Sequence, residues 1–275
     1  MINLEIFDQR RCNLGEGPIA VGDGNNEIMW VDIRGQKILS HNLLTNQTSE
    51  IDTGEDIGFI IPTASGGFLR GTNSQMPQRT DIDPEPMRWN DAKVSPNGDL
   101  WLGSMTYAEK DPLGALYRLD HGTQSLKKMV GNLTISNGLA WSGDGQTMFL
   151  IDSAAHSLQA FDVTENSISN QRTVIRFPEE YGYADGMTID SQGGLWIAFW
   201  NGFAVRCFDS KDKYREIERI STPVARTSSC TFAGEKLDQL IITTAHRNED
   251  DNAQAGMTFI ASPGVTGTPT RQFKA

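Results

Sequence analysis

The chain has 275 residues, enough for one large all-β domain or two smaller domains. A formal net charge of -11, from 35 acidic and 24 basic residues, would repel phosphate backbones and anionic membranes, so nucleic acid and membrane partners are not expected. Only three cysteines, no apolar signal core near the N-terminus and no membrane-length apolar run predict a soluble, cytoplasmic protein.

The chain is organised in six related units, each with a first strand, a Gly-containing or polar turn and a second strand. In chain order they are EGPIAVGDGNNEIMWVDI from Glu16, DIGFIIPTASGGFLRGT from Asp56, NDAKVSPNGDLWLGSM from Asn90, NGLAWSGDGQTMFLIDS from Asn137, DGMTIDSQGGLWIAFWNG from Asp185 and SSCTFAGEKLDQLIITTA from Ser228. The three central copies are the most alike, and their spacing is regular. No apolar period of 3.6 residues persists beyond two turns, so helix is a minor component.

Most units are followed by two more candidate strands. These are QKILSHNL and TSEIDT after the first unit, GALYRLD and KKMVG after the third, LQAFDV and RTVIRF after the fourth, and AVRCFD and REIERI after the fifth. Four strands a unit and six units predict an all-β fold, a single six-bladed β-propeller with four-stranded blades over residues 1–275. The last unit ends in MTFIA and lacks a fourth strand, so the N-terminal LEIFD is expected to close it and remove the open edge.

Two stretches match no strand and are predicted to be rim loops, residues 73–89 and 246–256. Four tryptophans recur at strand positions where blades pack, and they are predicted to be core residues: Trp30, Trp101, Trp141 and Trp196. Trp89 and Trp200 lie beside the predicted site and could line a pocket. The four histidines show no metal-ligand spacing and are assigned no catalytic role.

The first strand of every blade lies nearest the propeller axis, so residues at the starts of these strands converge at one end of the channel. Glu16, Asn90, Asn137 and Asp185 hold that position in four units. Two carboxylates and two amide oxygens suit a hard or borderline divalent cation. The sequence therefore predicts a metal site at the channel mouth.

An alternative reading of Asn137-Gly138 and Asp185-Gly186 is an ordinary type I′ hairpin turn. Each unit already contains a better-placed turn several residues later, so a second turn would leave almost no strand between them. Motifs for other chemistries are absent, namely GxSxG, HExxH, GxxxxGK[ST] and GxGxxG after a strand. Covalent serine and nucleotide chemistry are therefore disfavoured.

The chain resembles the regucalcin and gluconolactonase family, also called the senescence marker protein family. The resemblance lies in LGEGPIA at 14–20, RWNDAKVSPNGDLWLGSM at 88–105, GALYRLD at 114–120, SNGLAWSGDGQTMFLIDS at 136–153, ADGMTIDSQGGLWIAFWNG at 184–202 and TSSCTFAGEKLDQLIITTA at 227–245. It implies a six-bladed propeller with one divalent cation at the channel mouth, held by Glu16, Asn137 and Asp185. Ca²⁺ or Zn²⁺ is expected, with Mn²⁺ or Mg²⁺ as alternatives.

The resemblance also implies a sugar-binding set. The family's Arg and Asn pair corresponds to Arg88 and Asn90, and a further acid corresponds to Glu109. Two positions depart from the family pattern, since Ala92 stands where Gly is usual and Ser95 where Asp is usual. Neither departure falls on a metal ligand.

The expected function is metal-dependent hydrolysis of a sugar lactone by a metal-activated water, which makes the chain a gluconolactonase-like carboxylic ester hydrolase. Asp185 is the expected general base, and the expected partner is a small sugar lactone. The expected assembly is a monomer or weak homo-oligomer. Two alternatives remain open: a non-catalytic metal- or partner-binding propeller, and a metal-dependent hydrolase of a non-sugar ester.

Overall fold

The computed structural model describes residues 2–76, 86–165, 167–248 and 252–274. In chain order the strands are β1 (Leu4–Asp8), β2 (Gly15–Val21), β3 (Glu27–Asp32), β4 (Lys37–Asn42), β5 (Thr48–Asp52), β6 (Ile57–Pro62), β7 (Phe68–Thr72), β8 (Met87–Val94), β9 (Leu100–Thr106), β10 (Gly114–Leu119), β11 (Leu126–Leu133), β12 (Ser136–Trp141), β13 (Thr147–Asp152), β14 (Ser157–Val163), β15 (Ile168–Arg176), β16 (Tyr183–Ile189), β17 (Gly194–Trp200), β18 (Ala204–Asp209), β19 (Arg215–Ser221), β20 (Thr227–Ala233), β21 (Gln239–Thr244) and β22 (Thr258–Ala261). Short 3-10 helices cover Asp23–Asn25, Ser153–Ala155 and Glu179–Tyr181. Across the described ranges, no helix is both long enough and apolar enough to cross a membrane.

The strands form an all-β propeller. The inner strands β2, β6, β8, β12, β16 and β20 contact one another in a closed ring. Five sheets have four antiparallel strands, and β6 and β7 form a two-stranded sheet. For the second unit, the described residues show two of the four predicted strands. Only 14 residues separate Thr72 from Met87, whereas 29 separate Thr106 from Ser136, and the two further strands of this unit stay a prediction.

The N-terminal strand closes the last blade, as predicted. Strand β1 pairs antiparallel with β22, with Leu4 opposite Ala261 and Ile6 opposite Phe259. The resulting sheet has the order β1-β22-β21-β20. The pairing therefore joins the first and last strands of the described chain and covers the edge that β22 would otherwise expose.

The inner strands share an irregularity that positions the site. The register shifts at or before the middle of every one of them: between Glu16 and Ile19, Ile57 and Ile60, Trp89 and Ala92, Ser136 and Leu139, Ala184 and Met187, and Thr227 and Ser229. A bulge of this kind bends a strand and changes the direction of its side chains. Its repetition at equivalent positions aims one set of side chains at the propeller axis.

Close contact between neighbouring inner strands explains two of the glycines. A Cβ atom on Gly138 would lie 2.6 Å from the backbone oxygen of Asp185, and one on Gly186 would lie 2.2 Å from the Ser229 hydroxyl. Neither distance is sterically possible without movement. Asn137-Gly138 and Asp185-Gly186 lie within β12 and β16, so the hairpin-turn alternative is wrong.

Packing between blades follows the predicted tryptophans. Trp30, Trp101, Trp141 and Trp196 are all at most 3% exposed. The rings of Trp101 and Trp141, from adjacent blades, meet edge to face at 6.0 Å between centroids. Part of the first predicted rim loop is strand instead, because β8 begins at Met87. Residues 77–85 and 249–251 of the two predicted rim loops lie outside the described residues.

The C-terminal residues 266–274 cross the channel end opposite the predicted site. The hydrogen bonds of this segment join distant blades: Ser191 N–H to Thr266 O at 2.8 Å, Ala20 N–H to Thr270 Oγ1 at 3.3 Å, Phe273 N–H to Pro62 O at 2.9 Å and Lys274 N–H to Gly98 O at 3.2 Å. Residues 268–271 border a small cavity of about 60 Å³ together with residues of all six inner strands. The segment therefore lies across this end of the channel.

Candidate functional site

A cavity of about 450 Å³ lies at the starts of the inner strands. All six residues predicted for the site line it: Glu16, Arg88, Asn90, Glu109, Asn137 and Asp185. They come from β2, β8, β12, β16 and the loop after β9. The structure thus brings together residues that are up to 169 positions apart, Glu16 and Asp185.

Two buried carboxylates, those of Glu16 and Asp185, share this cavity. Each residue is 7% exposed. Burial raises the pKa of Asp185 well above its usual range, and repulsion from Glu16 adds to the shift. Burial also raises the pKa of Glu16, with Asp91 adding to the shift, although the Gly17 N–H donates to Glu16 Oε2 at 2.9 Å and opposes it. Both carboxylates therefore lie where negative charge is poorly solvated.

The Asp185 carboxylate accepts no hydrogen bond from any residue that the structure describes. Buried carboxylates are normally hydrogen-bonded, paired with a cation or bound to a metal. Lys93 lies deeper in the channel, where its Nζ donates to the backbone oxygen of Met187. Arg88 offsets the two carboxylates only in part, and a bound cation would stabilise both of them in the charged form.

A chain of hydrogen bonds links three blades across the mouth. Arg88 Nη1 donates to Asn90 Oδ1 at 2.5 Å, and Asn90 Nδ2 donates to Asn137 Oδ1 at 2.8 Å. Asn137 Nδ2 donates to Ser153 Oγ at 2.8 Å, and that hydroxyl donates to the Ala184 oxygen at 2.6 Å. The chain fixes both amide side chains in one orientation.

Arg88 and Glu109 form the outer part of the polar side of the cavity. Arg88 is 4% exposed, and its Nη2 lies 4.0 Å from Glu109 Oε1, beyond hydrogen-bond distance. Burial lowers the pKa of Arg88 while Glu109 opposes the shift, and a guanidinium stays charged despite such shifts. Arg88 Nε has no acceptor in the described part of the chain. Arg88 therefore retains donors that a ligand could use.

The sequence did not reveal four lining residues that matter for the shape of the mouth: Ser153, His156, Tyr183 and Arg247. Ser153 is the last residue of the fourth unit, and its position directly after the second strand is the one feature of the sequence that could have indicated it. Trp200 lines the cavity, in agreement with the prediction that it could line a pocket beside the site. Trp89 does not line it, since it is 3% exposed and its ring packs on Tyr117 at 5.6 Å.

The donor set fits a divalent cation. Glu16, Asn137 and Asp185 offer two carboxylates and an amide oxygen, the ligands that hard cations take in proteins. The Asn137 oxygen has a second lone pair beyond the one that accepts from Asn90. No group of three or more His, Cys, Asp or Glu side chains with metal-site geometry occurs in the described ranges, so Asn137 would be needed to complete the set.

Comparison with known proteins places this geometry in a family. The family model described as SMP-30/Gluconolactonase/LRE-like region matches residues 14–246. The chain belongs to this family. It is 32% identical to regucalcin from Danio rerio over 295 aligned positions, which cover 99% of this chain and 98% of that protein. Family membership supports a lactonase-type function.

Solved structures share the fold over nearly the whole chain. A calcium-binding protein, regucalcin from Agrobacterium tumefaciens, superposes with a TM-score of 0.90 at 21% identity, covering 100% of this chain and 98% of that one. A gluconolactonase from Xanthomonas campestris superposes with a TM-score of 0.75 at 20% identity, covering 95% and 89% of the two chains. Likeness at these identities shows the propeller fold.

Proposed function

We propose that this protein is a divalent-metal-dependent lactonase that hydrolyses a sugar lactone, with a cation held by Glu16, Asn137 and Asp185. The observation that supports this most strongly is the buried Asp185 carboxylate, which shares a cavity with Glu16 and accepts no hydrogen bond within the described ranges. The family relationship to gluconolactonases and to calcium-binding regucalcin agrees with it.

A bound divalent cation would polarise the lactone carbonyl and lower the pKa of a water molecule. Asp185 takes the proton of the attacking water on its carboxylate, because its oxygens have no competing donor in the described part of the chain. The water oxygen forms a bond to the carbonyl carbon, and the bond from that carbon to the ring oxygen breaks. The ring oxygen leaves with the proton that Asp185 took from the water, so the product is an open-chain hydroxy acid that releases a proton at neutral pH.

Arg88, Asn90 and Glu109 orient the substrate. Asn90 is held by Arg88 on one side and Asn137 on the other, so its position is fixed before substrate binds. Arg88 can donate to a hydroxyl or to the carbonyl oxygen, and Glu109, whose side chain is 40% exposed, can accept from a hydroxyl. A polyhydroxylated ring offers both kinds of partner. This is the reason to prefer a sugar lactone over a simple ester.

The test is acid release in weakly buffered solution. Metal-stripped protein is re-supplied with Ca²⁺, Zn²⁺, Mn²⁺ or Mg²⁺ and offered gluconolactone, xylonolactone, galactonolactone and a non-sugar lactone. We expect metal-dependent release well above spontaneous hydrolysis for at least one sugar lactone. Turnover of the non-sugar lactone alone would indicate a different ester hydrolase, and metal binding without any turnover would indicate a binding propeller.

A further inference from the structure

The cavity has two chemically different sides. One is polar and consists of Arg88, Asn90 and Glu109. The other, from the fourth and fifth blades, consists of three rings, those of His156, Tyr183 and Trp200, which we call the aromatic wall. The mechanism above uses only the polar side and the carboxylates. It gives the aromatic wall no role.

The three rings are adjacent. The His156 and Tyr183 ring centroids lie 4.6 Å apart with a 41° angle between the planes. Tyr183 of β16 lies directly opposite Trp200 of β17, so the two side chains are cross-strand neighbours. The guanidinium carbon of Arg247 lies 5.6 Å from the centre of the Trp200 ring. The three rings thus come together from two blades, and Arg247 borders them through a cation-π contact with Trp200.

The backbone fixes His156 in an unusual conformation. It follows the helix Ser153–Ala155 with φ 45° and ψ 42°, a left-handed conformation that side chains other than Gly and Asn adopt uncommonly. Its N–H donates to Ser153 O at 3.2 Å, and its oxygen accepts from Phe177 N–H at 2.8 Å. These contacts fix the backbone of His156 at a point from which its ring contacts the Tyr183 ring.

Tyr183 leaves much of its ring accessible to solvent. It is 43% exposed, and no other large exposed apolar side chain in the described ranges lines this cavity. Exposed aromatic surface beside a polar cavity is typical of a binding site, because flat rings contact apolar groups while their polar atoms stay hydrated. A ligand ring whose faces are carbon and hydrogen and whose edges carry polar groups can contact such a surface with one face.

We propose that the aromatic wall binds one carbon face of the lactone ring and so determines which ring stereoisomers are turned over. This inference rests on the proposed function. When the hydroxyl groups of the lactone point to the polar side, one face of the lactone ring is left to contact His156, Tyr183 and Trp200. A hydroxyl that projects from that face would push the ring away from Tyr183. The wall therefore selects substrates by the orientation of single hydroxyl groups.

The first experiment is kinetic. Y183A should raise KM about tenfold for the preferred sugar lactone with kcat within about twofold, because the variant loses the aromatic contact to the bound ring. Y183A should also change the KM ratio between gluconolactone and galactonolactone, which differ at one hydroxyl. Y183F keeps the ring and should behave as wild type. Phe203→Ala is the matched control, because Phe203 is 49% exposed but does not line the cavity.

The second experiment measures binding without turnover. Trp200 is the one tryptophan that is not buried, since the other five are at most 3% exposed, so acrylamide quenching of tryptophan emission reports mainly on it. Methyl glucopyranoside, a ring without a lactone, should protect Trp200 from quenching in the wild type and in F203A but not in Y183A. The open-chain polyol sorbitol should give no protection.

The outcomes separate this inference from the proposed function. Ring protection that depends on Tyr183, in a protein that turns over no lactone, would support the wall and refute the lactonase. An unchanged KM and an unchanged epimer ratio in Y183A, in an active lactonase, would refute the wall alone. Absence of ring protection in the wild type would also overturn it.

Discussion

At the scale of single residues, the burial of the Asp185 carboxylate opposes folding of the metal-free protein. The carboxylate is buried beside Glu16 and accepts no hydrogen bond from the described residues. We therefore expect Asp185→Asn to abolish metal binding and lower turnover by roughly 10²–10⁴-fold. The metal-free variant should nevertheless be more stable than metal-free wild type by about 1 to 3 kcal/mol. Calorimetric metal titration and urea unfolding measure the two effects.

Asp190, five residues after Asp185, supplies a matched control. Asp190 follows β16 directly and accepts from Gln192 N–H, Gly194 N–H and Trp196 Nε1 at 2.8 to 2.9 Å. Asp190→Asn should lower stability by about 1 to 3 kcal/mol and leave metal stoichiometry unchanged. Metal binding retained in D185N, or lost in D190N, would contradict the assignment of the ligands.

Asp99 allows a second prediction at this scale. It is fully buried, and it accepts from Arg118 Nε at 2.6 Å, His121 Nδ1 at 2.7 Å and Asn97 Nδ2 at 2.8 Å. Burial raises the pKa of Asp99, but these hydrogen bonds outweigh it and the net pKa is lowered from 3.8. Asp99→Asn should cost about 3 kcal/mol or more at pH 7. Asp120→Asn, which affects a more exposed partner of Arg118, should cost much less than Asp99→Asn.

The cost of D99N should depend on pH with a definite sign. Because the folded pKa of Asp99 is lowered, its contribution is fully present above 3.8 and disappears as the pH falls through the lowered value. Unfolding free energies of wild type and D99N should therefore converge on acidification below pH 4. A gap that stays constant with pH would refute the linkage.

At the scale of elements, strand β1 should determine whether the ring stays closed. Without it, β22 would present unpaired backbone groups, and the contacts that Leu4 makes with the core of the last blade would be lost. Deleting residues 1–9 should lower Tm by on the order of 10 °C and cause self-association. Glu5→Ala, an exposed change within β1, should shift Tm by less than about 2 °C. Calorimetry and sedimentation check both; a monomer with unchanged Tm would contradict this role.

Elements show what the sequence predicted well and what it could not. The first strands were predictable because turn residues and alternation repeat along the chain, and the ring geometry then places Glu16, Asn137 and Asp185 in one cavity. The bulges that aim these side chains have no signature beyond the following glycines. The two further strands predicted for the second unit would have to form from the 14 residues between Thr72 and Met87, a shorter connection than in the other units.

The connecting segments were the least predictable. His156 and Tyr183 enter the cavity from the end of a 3-10 helix and the start of a strand, where neither periodicity nor turn chemistry indicates direction. For His156 in particular, the sequence offers only its spacing from the other histidines, and that spacing matches no metal site. Residues outside repeated strands contribute to the mouth through tertiary contacts that one sequence does not reveal.

At the scale of the whole molecule, the C-terminal segment ties distant blades together at the end opposite the site. Phe273 is 1% exposed and packs among Phe59, Ile61 and Leu100. Phe273→Ala should cost about 3 to 5 kcal/mol while leaving KM unchanged, because the cavity left behind is remote from the mouth. Lys274→Ala, at an exposed neighbour, should change stability by less than about 0.5 kcal/mol. Urea unfolding and steady-state kinetics test this, and a raised KM in F273A would show that the two ends are coupled.

The central claim is that one cation, held by Glu16, Asn137 and Asp185, is required for lactone hydrolysis. The most direct measurement titrates metal-stripped protein with a single divalent ion and records metal occupancy and acid release from gluconolactone on the same samples. We predict that both rise together and saturate at one equivalent. Full acid release by the stripped protein, or saturation with metal without acid release, would contradict the claim.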